Sequence, residues 1–412
     1  MRDGASPRLR TLRRHHFHPT APDRTDPPPG LRVHDMLVAG MNRFVLCAVI
    51  AALVGMTALT PVAPTEAQTV ALLGAGATFA FPLYAKWSQA YALERGVRVT
   101  YQPVGSGEGI RRFVTGAADF AGTDALPTDA QMGQASGQVL YLPMVAGSVV
   151  PLYNIKDVEP KPAPPTTPGV PPPPPPKAIG PGLAFTGPLL ADIFLGKIKT
   201  WDDPKITDLN PQEKMPSTPI TVIHRSDGSG TTAIWTNYLS KVSREWKDSV
   251  GEGSSVKWPT GLEARGNQGV ADLVKRTANS IGYVELAYAV TNRMTFGSVR
   301  NKAGQLLAPS LTTTIKALDA ALPGIPDDYL TLMTNPDTPD AYPIVGLTYL
   351  MIYNEQSDSV KGPALAQFLW WAIHDGQKHA PPLLYAPLPR NLVVRLGRTV
   401  KGVTVNGQPA LP

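Results

Sequence analysis

The sequence predicts an α/β fold with mainly parallel strands in an exported chain. Three observations carry this. From Thr69 onward, short apolar runs rich in β-branched residues alternate with helix-like runs, the pattern of strand–helix–strand units. Glycine-rich loops stand at several strand-to-helix junctions. Near the N-terminus, a basic residue precedes an apolar segment and a small-residue motif, the grammar of a secretory signal.

The 412 residues are enough for two domains, and 43% hydrophobic with 17% charged residues reads as globular. Net charge is +6, of which residues 1–67, with eight Arg against five Asp and Glu, hold 8 − 5 = +3. The remaining +3 is spread without a dense basic run, so charge does not point to nucleic acid. Residues 1–35, rich in Pro, Arg and His, read as an unfolded extension. Met36 and Met41 stand as alternative initiators, because Met41-Asn42-Arg43 opens directly into the apolar Phe44–Leu59. Thr65 and Ala67 occupy the −3 and −1 positions of a cleavage site after Ala67. The apolar run is short for a membrane span. The only cysteine, Cys47, lies inside it. A mature chain without cysteine has no disulfide, thiol nucleophile or cysteine-bound metal, which fits a bacterial periplasm or cell surface.

Taken in order, Val70–Leu73 reads as a strand, followed by the loop Gly74-Ala75-Gly76-Ala77-Thr78-Phe79 and a helix from Pro82 to Arg95. Val97–Tyr101 is a second strand. Val104-Gly105-Ser106-Gly107-Glu108-Gly109 then leads to a helix over Ile110–Gly116. Asp119–Asp124 closes another short strand, and Val139–Leu142 and Val145–Tyr153 follow as two more. Residues 157–182 break the pattern with an unbroken proline run from Pro171 to Pro176, which neither pairs in a sheet nor continues a helix. A solvated polyproline II insertion on the surface is expected there. Regular structure resumes at Leu189–Leu195. Ile281–Val290 and Tyr342–Tyr353 read as later strands, and Leu365–Ile373 as an apolar helix whose Trp370 and Trp371 pack in the core.

The most informative stretch is His224-Arg225-Ser226-Asp227-Gly228-Ser229-Gly230-Thr231-Thr232. A β-branched run, Ile220–Ile223, enters it, and a helix from Thr232 to Val242 leaves it. Strand, glycine-rich loop and helix start together aim backbone N–H groups and a positive dipole end at an anion. Arg225 adds forked donors suited to an oxyanion, and Asp227 is placed to hold its guanidinium. The loop lacks the Lys-Ser/Thr ending of a nucleotide P-loop, so a small oxyanion fits better. Thr78 with the Phe79 amide, Ser106, and Ser229 with the Gly230 and Thr231 amides are the candidate donors. Taken singly, each of these loops also reads as an ordinary helix cap. Asp124 is the odd member: it either caps the following turn or accepts a proton from a protonated oxyanion. Phosphate at neutral pH carries such a proton and sulfate does not.

These residues resemble the phosphate-binding proteins of bacterial high-affinity phosphate ABC transporters, the Pst system. The resemblance covers residues 70–156 and 186–405. It includes Gly74–Phe79, Val104–Gly107, Thr123-Asp124-Ala125, Arg225–Thr231, Leu195–Ile198, Lys257-Trp258-Pro259, Gly266–Val270 and Ile281–Glu285. It implies a two-lobed periplasmic-binding-protein fold of type II, with discontinuous lobes joined by a hinge: 68–149 plus 345–412, and 150–344. It places phosphate contacts on Thr78, Phe79, Ser106, Asp124, Arg225, Ser229, Gly230 and Thr231, with Asp227 pairing Arg225. It also implies delivery to a membrane permease, a monomer, and no cofactor, metal or catalytic residue. The insertion is not typical of the family. Glu108 stands where many relatives carry a small polar residue, and is expected to point to solvent. An enzyme such as a phosphatase would need a nucleophile and an acid or metal centre. His224, His374 and His379 have no metal-type spacing. Sulfate or molybdate binding, or adhesion through the proline run, are the other competing readings. Arsenate shares the shape and protonation of phosphate.

Overall fold

The protein is described by a computed structural model, which defines residues 70–155 and 182–411. The signal segment with Cys47 and nearly all of the proline-rich insertion lie outside the described residues. No helix among those described is long and apolar enough to cross a membrane.

Strand β1 (Ala71–Gly76) leads to helix α1 (Phe81–Arg95). Pro82 sits in the first turn of α1, where its missing N–H costs nothing. Gly96 ends the helix in the left-handed conformation, its N–H returned to the Ala92 carbonyl. The inward face carries Leu83, Tyr84, Trp87, Ala90 and Tyr91 at helical spacing. Then come β2 (Arg98–Pro103), α2 (Ser106–Val114) and β3 (Phe120–Thr123). Helix α2 starts at Ser106, not Ile110: the glycines expected in a loop form its first turn.

Strand β4 (Val139–Asn154) is continuous where two strands were expected. Its register against strand β8, described below, shifts so that Thr348 faces Val145 and Tyr349 faces Pro143, leaving Met144 as a bulge. A bulge is where a strand tolerates a proline, which is why Pro143 does not end this one. After the gap come α3 (Gly187–Phe194), β5 (Thr221–Arg225), α4 (Gly230–Val242), β6 (Leu262–Ala264) and α5 (Gly266–Arg276). The expected strand Ile281–Val290 divides into β7 (Ser280–Glu285) and helix α6 (Leu286–Thr291). Glu285 caps α6 by accepting the Ala287 N–H through its side chain, which turns an apolar run into a helix start. Strand β8 (Val345–Tyr353), α7 (Lys361–Ile373) and α8 (Arg390–Lys401) complete the main elements. In α7, Trp371 is buried as expected. Trp370 is only half-buried: it packs against the edge of the core, lies against His374 and is covered by the Lys401 ammonium.

One eight-stranded sheet runs in the order β2-β1-β3-β8-β4-β7-β5-β6. β1 is parallel to β2 and β3, β5 is parallel to β6 and β7, and the antiparallel strands meet in the middle. β4 joins the halves. Its residues up to Ser148 pair with β8, and those from Val149 onward pair with β7. Near the end of β4, Tyr153 Oη accepts the Leu183 N–H at 2.6 Å, so the strand end before 156 and the chain returning at 182 are tied together.

Candidate functional site

The carboxyl ends of β1, β3 and β5 converge, each followed by one of the glycine-rich or acidic segments singled out in the sequence. At the end of β5, Arg225 is buried. Its Nε and Nη2 donate to Asp227 Oδ1 and Oδ2 at 2.7 and 2.5 Å, a bidentate pair that fixes the guanidinium plane. Nη1 is left to reach Thr231 Oγ1 at 3.4 Å. Asp227 also accepts the Gly266 N–H at 3.0 Å, tying this loop to the start of α5. Burial works against the Asp227 charge, but the hydrogen bonds and charge of Arg225 outweigh it and hold the carboxyl below the usual range. Ser229 caps α4 by accepting the Thr232 N–H at 3.1 Å.

Ser106 opens α2 directly against this loop. The Gly230 N–H donates to Ser106 Oγ at 3.1 Å, and the Gly107 N–H to the Gly228 carbonyl at 3.0 Å. Gly105 has φ +96, and a Cβ there would run into Asp227 Oδ2, so the backbones approach this closely only with glycine. Thr78 meets the same centre from β1. Its Oγ1 accepts from the Asn267 backbone N–H at 3.1 Å and from Asn267 Nδ2 at 2.8 Å. Asn267 Nδ2 also reaches Thr231 Oγ1 at 3.0 Å. The first turns of α2, α4 and α5 therefore point together, and three positive dipole ends meet in one place.

Asp124 follows β3. Thr348 donates to its Oδ1 at 2.9 Å. Its Oδ2 is buried and, among the described residues, has no hydrogen-bond partner. A Cβ on Gly230 would overlap Oδ2, so the carboxyl is pressed against the glycine of the anion loop. Burial pushes Asp124 up to about 7, against the lowering effects of the Thr348 hydrogen bond and the Arg225 charge. An unpaired buried acceptor is costly until a donor arrives. The arrangement therefore suits a tetrahedral anion that still carries a proton.

Thr78, Phe79, Ser106, Asp124, Arg225, Ser229, Gly230 and Thr231 are all buried and lie in these converging segments. Glu108 does not face them, nor is it free in solvent. It folds back along α2, accepting from Arg111 and Arg112, and its carboxyl is held low by that pairing. His224 lies flat on Trp258, 4.7 Å between ring centres, and burial favours its neutral form. No group of His, Cys, Asp and Glu fit to hold a metal occurs among the described residues.

Sequence reasoning assigned no role to Asn267, Thr348, Glu285, Tyr288 or Tyr385. Asn267 had a signal in the Gly266–Val270 block. Glu285 had one in the Ile281–Glu285 block, and Thr348, Tyr288 and Tyr385 come from segments that only the fold brings in.

Comparison with known proteins places this geometry in context. The PBP superfamily domain matches residues 62–375. Phosphate-binding protein PstS of Xylella fastidiosa (strain 9a5c) is 40% identical over 338 residues, covering 82% of this chain and 86% of that protein. PstS of Pasteurella multocida is 39% identical over 332 residues, covering 81% and 90%. Among solved structures, a high affinity periplasmic phosphate-binding protein, PfluDING, bound with phosphate, superposes with a TM-score of 0.60 at 20% identity, covering 81% of this chain and 99% of that one.

Proposed function

The chain belongs to the PstS family of phosphate-binding proteins, with the two-lobed fold of that superfamily, and from this membership we propose how it works. It is a non-enzymatic substrate-binding protein that captures inorganic phosphate and delivers it to the permease of a phosphate ABC transporter. The ligand contacts are Thr78, Phe79, Ser106, Asp124, Arg225, Ser229, Gly230 and Thr231. Arg225 supplies charge, held in orientation by Asp227. The helix N-termini supply backbone donors, and the hydroxyls complete the shape. The lobes are 68–149 plus 345–412, and 150–344. The exchange of β4 partners between Ser148 and Val149 supports that division. Segments of both lobes meet at the site, so ligand contacts on both sides favour the closed form. The protein works as a monomer in the periplasm, after removal of a signal peptide at Ala67.

The observation that carries the reading is the unpaired, buried Asp124 Oδ2 beside Arg225 and three helix starts. Monohydrogen phosphate brings the missing donor, whereas sulfate brings a negative oxygen against a buried acceptor. Calorimetric titration of ligand-stripped residues 68–412 tests this. Tight one-to-one binding of phosphate with no response to sulfate is expected. Folded protein that ignores phosphate overturns the assignment.

A further inference from the structure

Behind the proposed ligand loop, two phenols hold consecutive backbone carbonyls. Tyr288 Oη donates to the Thr78 carbonyl at 2.5 Å, and Tyr385 Oη donates to the Phe79 carbonyl at 2.7 Å. The Thr78 carbonyl belongs to the same peptide unit as the Phe79 N–H. A donor on the carbonyl polarises that unit, fixes its plane and strengthens the N–H as a donor on the other side. Among the described residues, no protein acceptor receives the Phe79 N–H. The peptide is thus anchored at its oxygen, with its N–H still to be used.

Glu285 ties the two phenols together. It caps α6, the helix that carries Tyr288, through the Ala287 N–H at 2.9 Å. The same Oε2 lies 2.9 Å from Tyr385 Oη. Tyr385 has one hydroxyl proton and two acceptors within reach, the Phe79 carbonyl and Glu285. Both contacts hold when Glu285 carries a proton and donates it to Tyr385 Oη. Glu285 is fully buried, and burial raises its carboxyl well above the ordinary value. A neutral acid here also spares the anion site a further negative charge.

We propose that Tyr288 and Tyr385, joined by Glu285, are positioning residues that bracket the Thr78–Phe79 backbone so that the Phe79 N–H is presented to phosphate. This rests on the ligand assignment above. On the proposed lobe division, Tyr288 and Glu285 come from one lobe and Thr78, Phe79 and Tyr385 from the other, so the bracket is assembled across the cleft.

The test uses 15N-labelled mature protein with the Phe79 amide assigned, together with phosphate titration and dissociation kinetics. Tyr288→Phe is expected to raise the phosphate Kd about tenfold, mostly through faster dissociation, the scale of one good hydrogen bond. It should also shift the Phe79 amide proton upfield in phosphate-saturated protein, where both lobes meet at the site. Tyr385→Phe should move the same resonance and weaken binding in the same direction. Tyr342→Phe removes a buried phenol that donates to the Val149 carbonyl, and should leave both readouts unchanged. If Tyr288→Phe and Tyr385→Phe bind phosphate within about twofold of wild type and leave the Phe79 amide in place, the bracket is wrong. Arg225→Ala separates this from the underlying reading. If that variant still binds phosphate, the site assignment fails, while the Phe79 amide shift continues to report on the bracket.

Discussion

Replacing Asp124 with Asn tests the electrostatics of the site independently of any ligand. The side chains are isosteric, and Asn Oδ1 can still accept from Thr348. In the ligand-free protein, burial raises the Asp124 carboxyl from 3.8 to about 7. The folded state therefore holds a proton that the unfolded chain has already released across that interval. The contribution of Asp124 to stability is fully present below its unfolded value and is lost as pH rises through the folded value. The difference of roughly three pH units corresponds to ~4 kcal/mol, an order-of-magnitude figure for a buried group. Urea unfolding of ligand-free wild type and Asp124→Asn, from about pH 4 to about pH 9, measures it. The stability advantage of the Asn variant should grow steadily between about pH 4 and pH 7 and stay flat above. If the difference between the two proteins is the same at every pH, Asp124 titrates normally and the account of the site as a proton acceptor fails. With ligand, the same variant should bind phosphate more weakly and lose discrimination against sulfate. Unchanged discrimination would remove Asp124 as the selecting residue.

Arg225→Ala should abolish phosphate binding in calorimetry and cost ~3–5 kcal/mol of stability, because Asp227 is left without its partner. The double variant with Asp227→Ala should recover most of the stability and none of the binding. Gly230→Ala should lose phosphate affinity while the protein stays folded, since the new methyl overlaps Asp124 Oδ2 and must displace the carboxyl or the loop. Glu108→Gln should leave the phosphate Kd within about twofold of wild type, because Glu108 is turned along α2 toward Arg111 and Arg112; a large change would place it at the anion.

The parts legible in the sequence were those whose chemistry is local. Arg225, Asp227 and Ser229 lie within a few residues of one another, and the turn that joins them is written in the glycines between. Thr78, Ser106 and Asp124 were readable as loop residues, although only the parallel arrangement of β1, β3 and β5 brings them to one end of the sheet. What escaped depends on long-range contact. Thr348 lies 224 residues from Asp124, and Tyr385 lies 306 from Phe79, with no periodicity linking them. Two local readings failed for physical reasons. Ile281–Val290 is apolar but for Glu285, and period alone does not show that this buried carboxyl stops the strand by capping a helix. Gly105–Gly109 looked like a loop because glycine is a poor helix former, yet here it lets the first turn of α2 touch the anion loop.

The tie between Tyr153 and Leu183 has a consequence for how this chain tolerates change. Tyr153 Oη accepts the Leu183 N–H at 2.6 Å, so the two stems that flank residues 156–181 are fixed against each other by the described protein. Joining two fixed ends by a flexible connection costs entropy only as the logarithm of its length, so doubling such a connection costs ~0.6 kcal/mol. The two stems should therefore act as a splice port. Sequence can be shortened, lengthened or exchanged there while the strands on either side keep their register, which makes it the place to graft a reporter onto this protein without retuning the cleft.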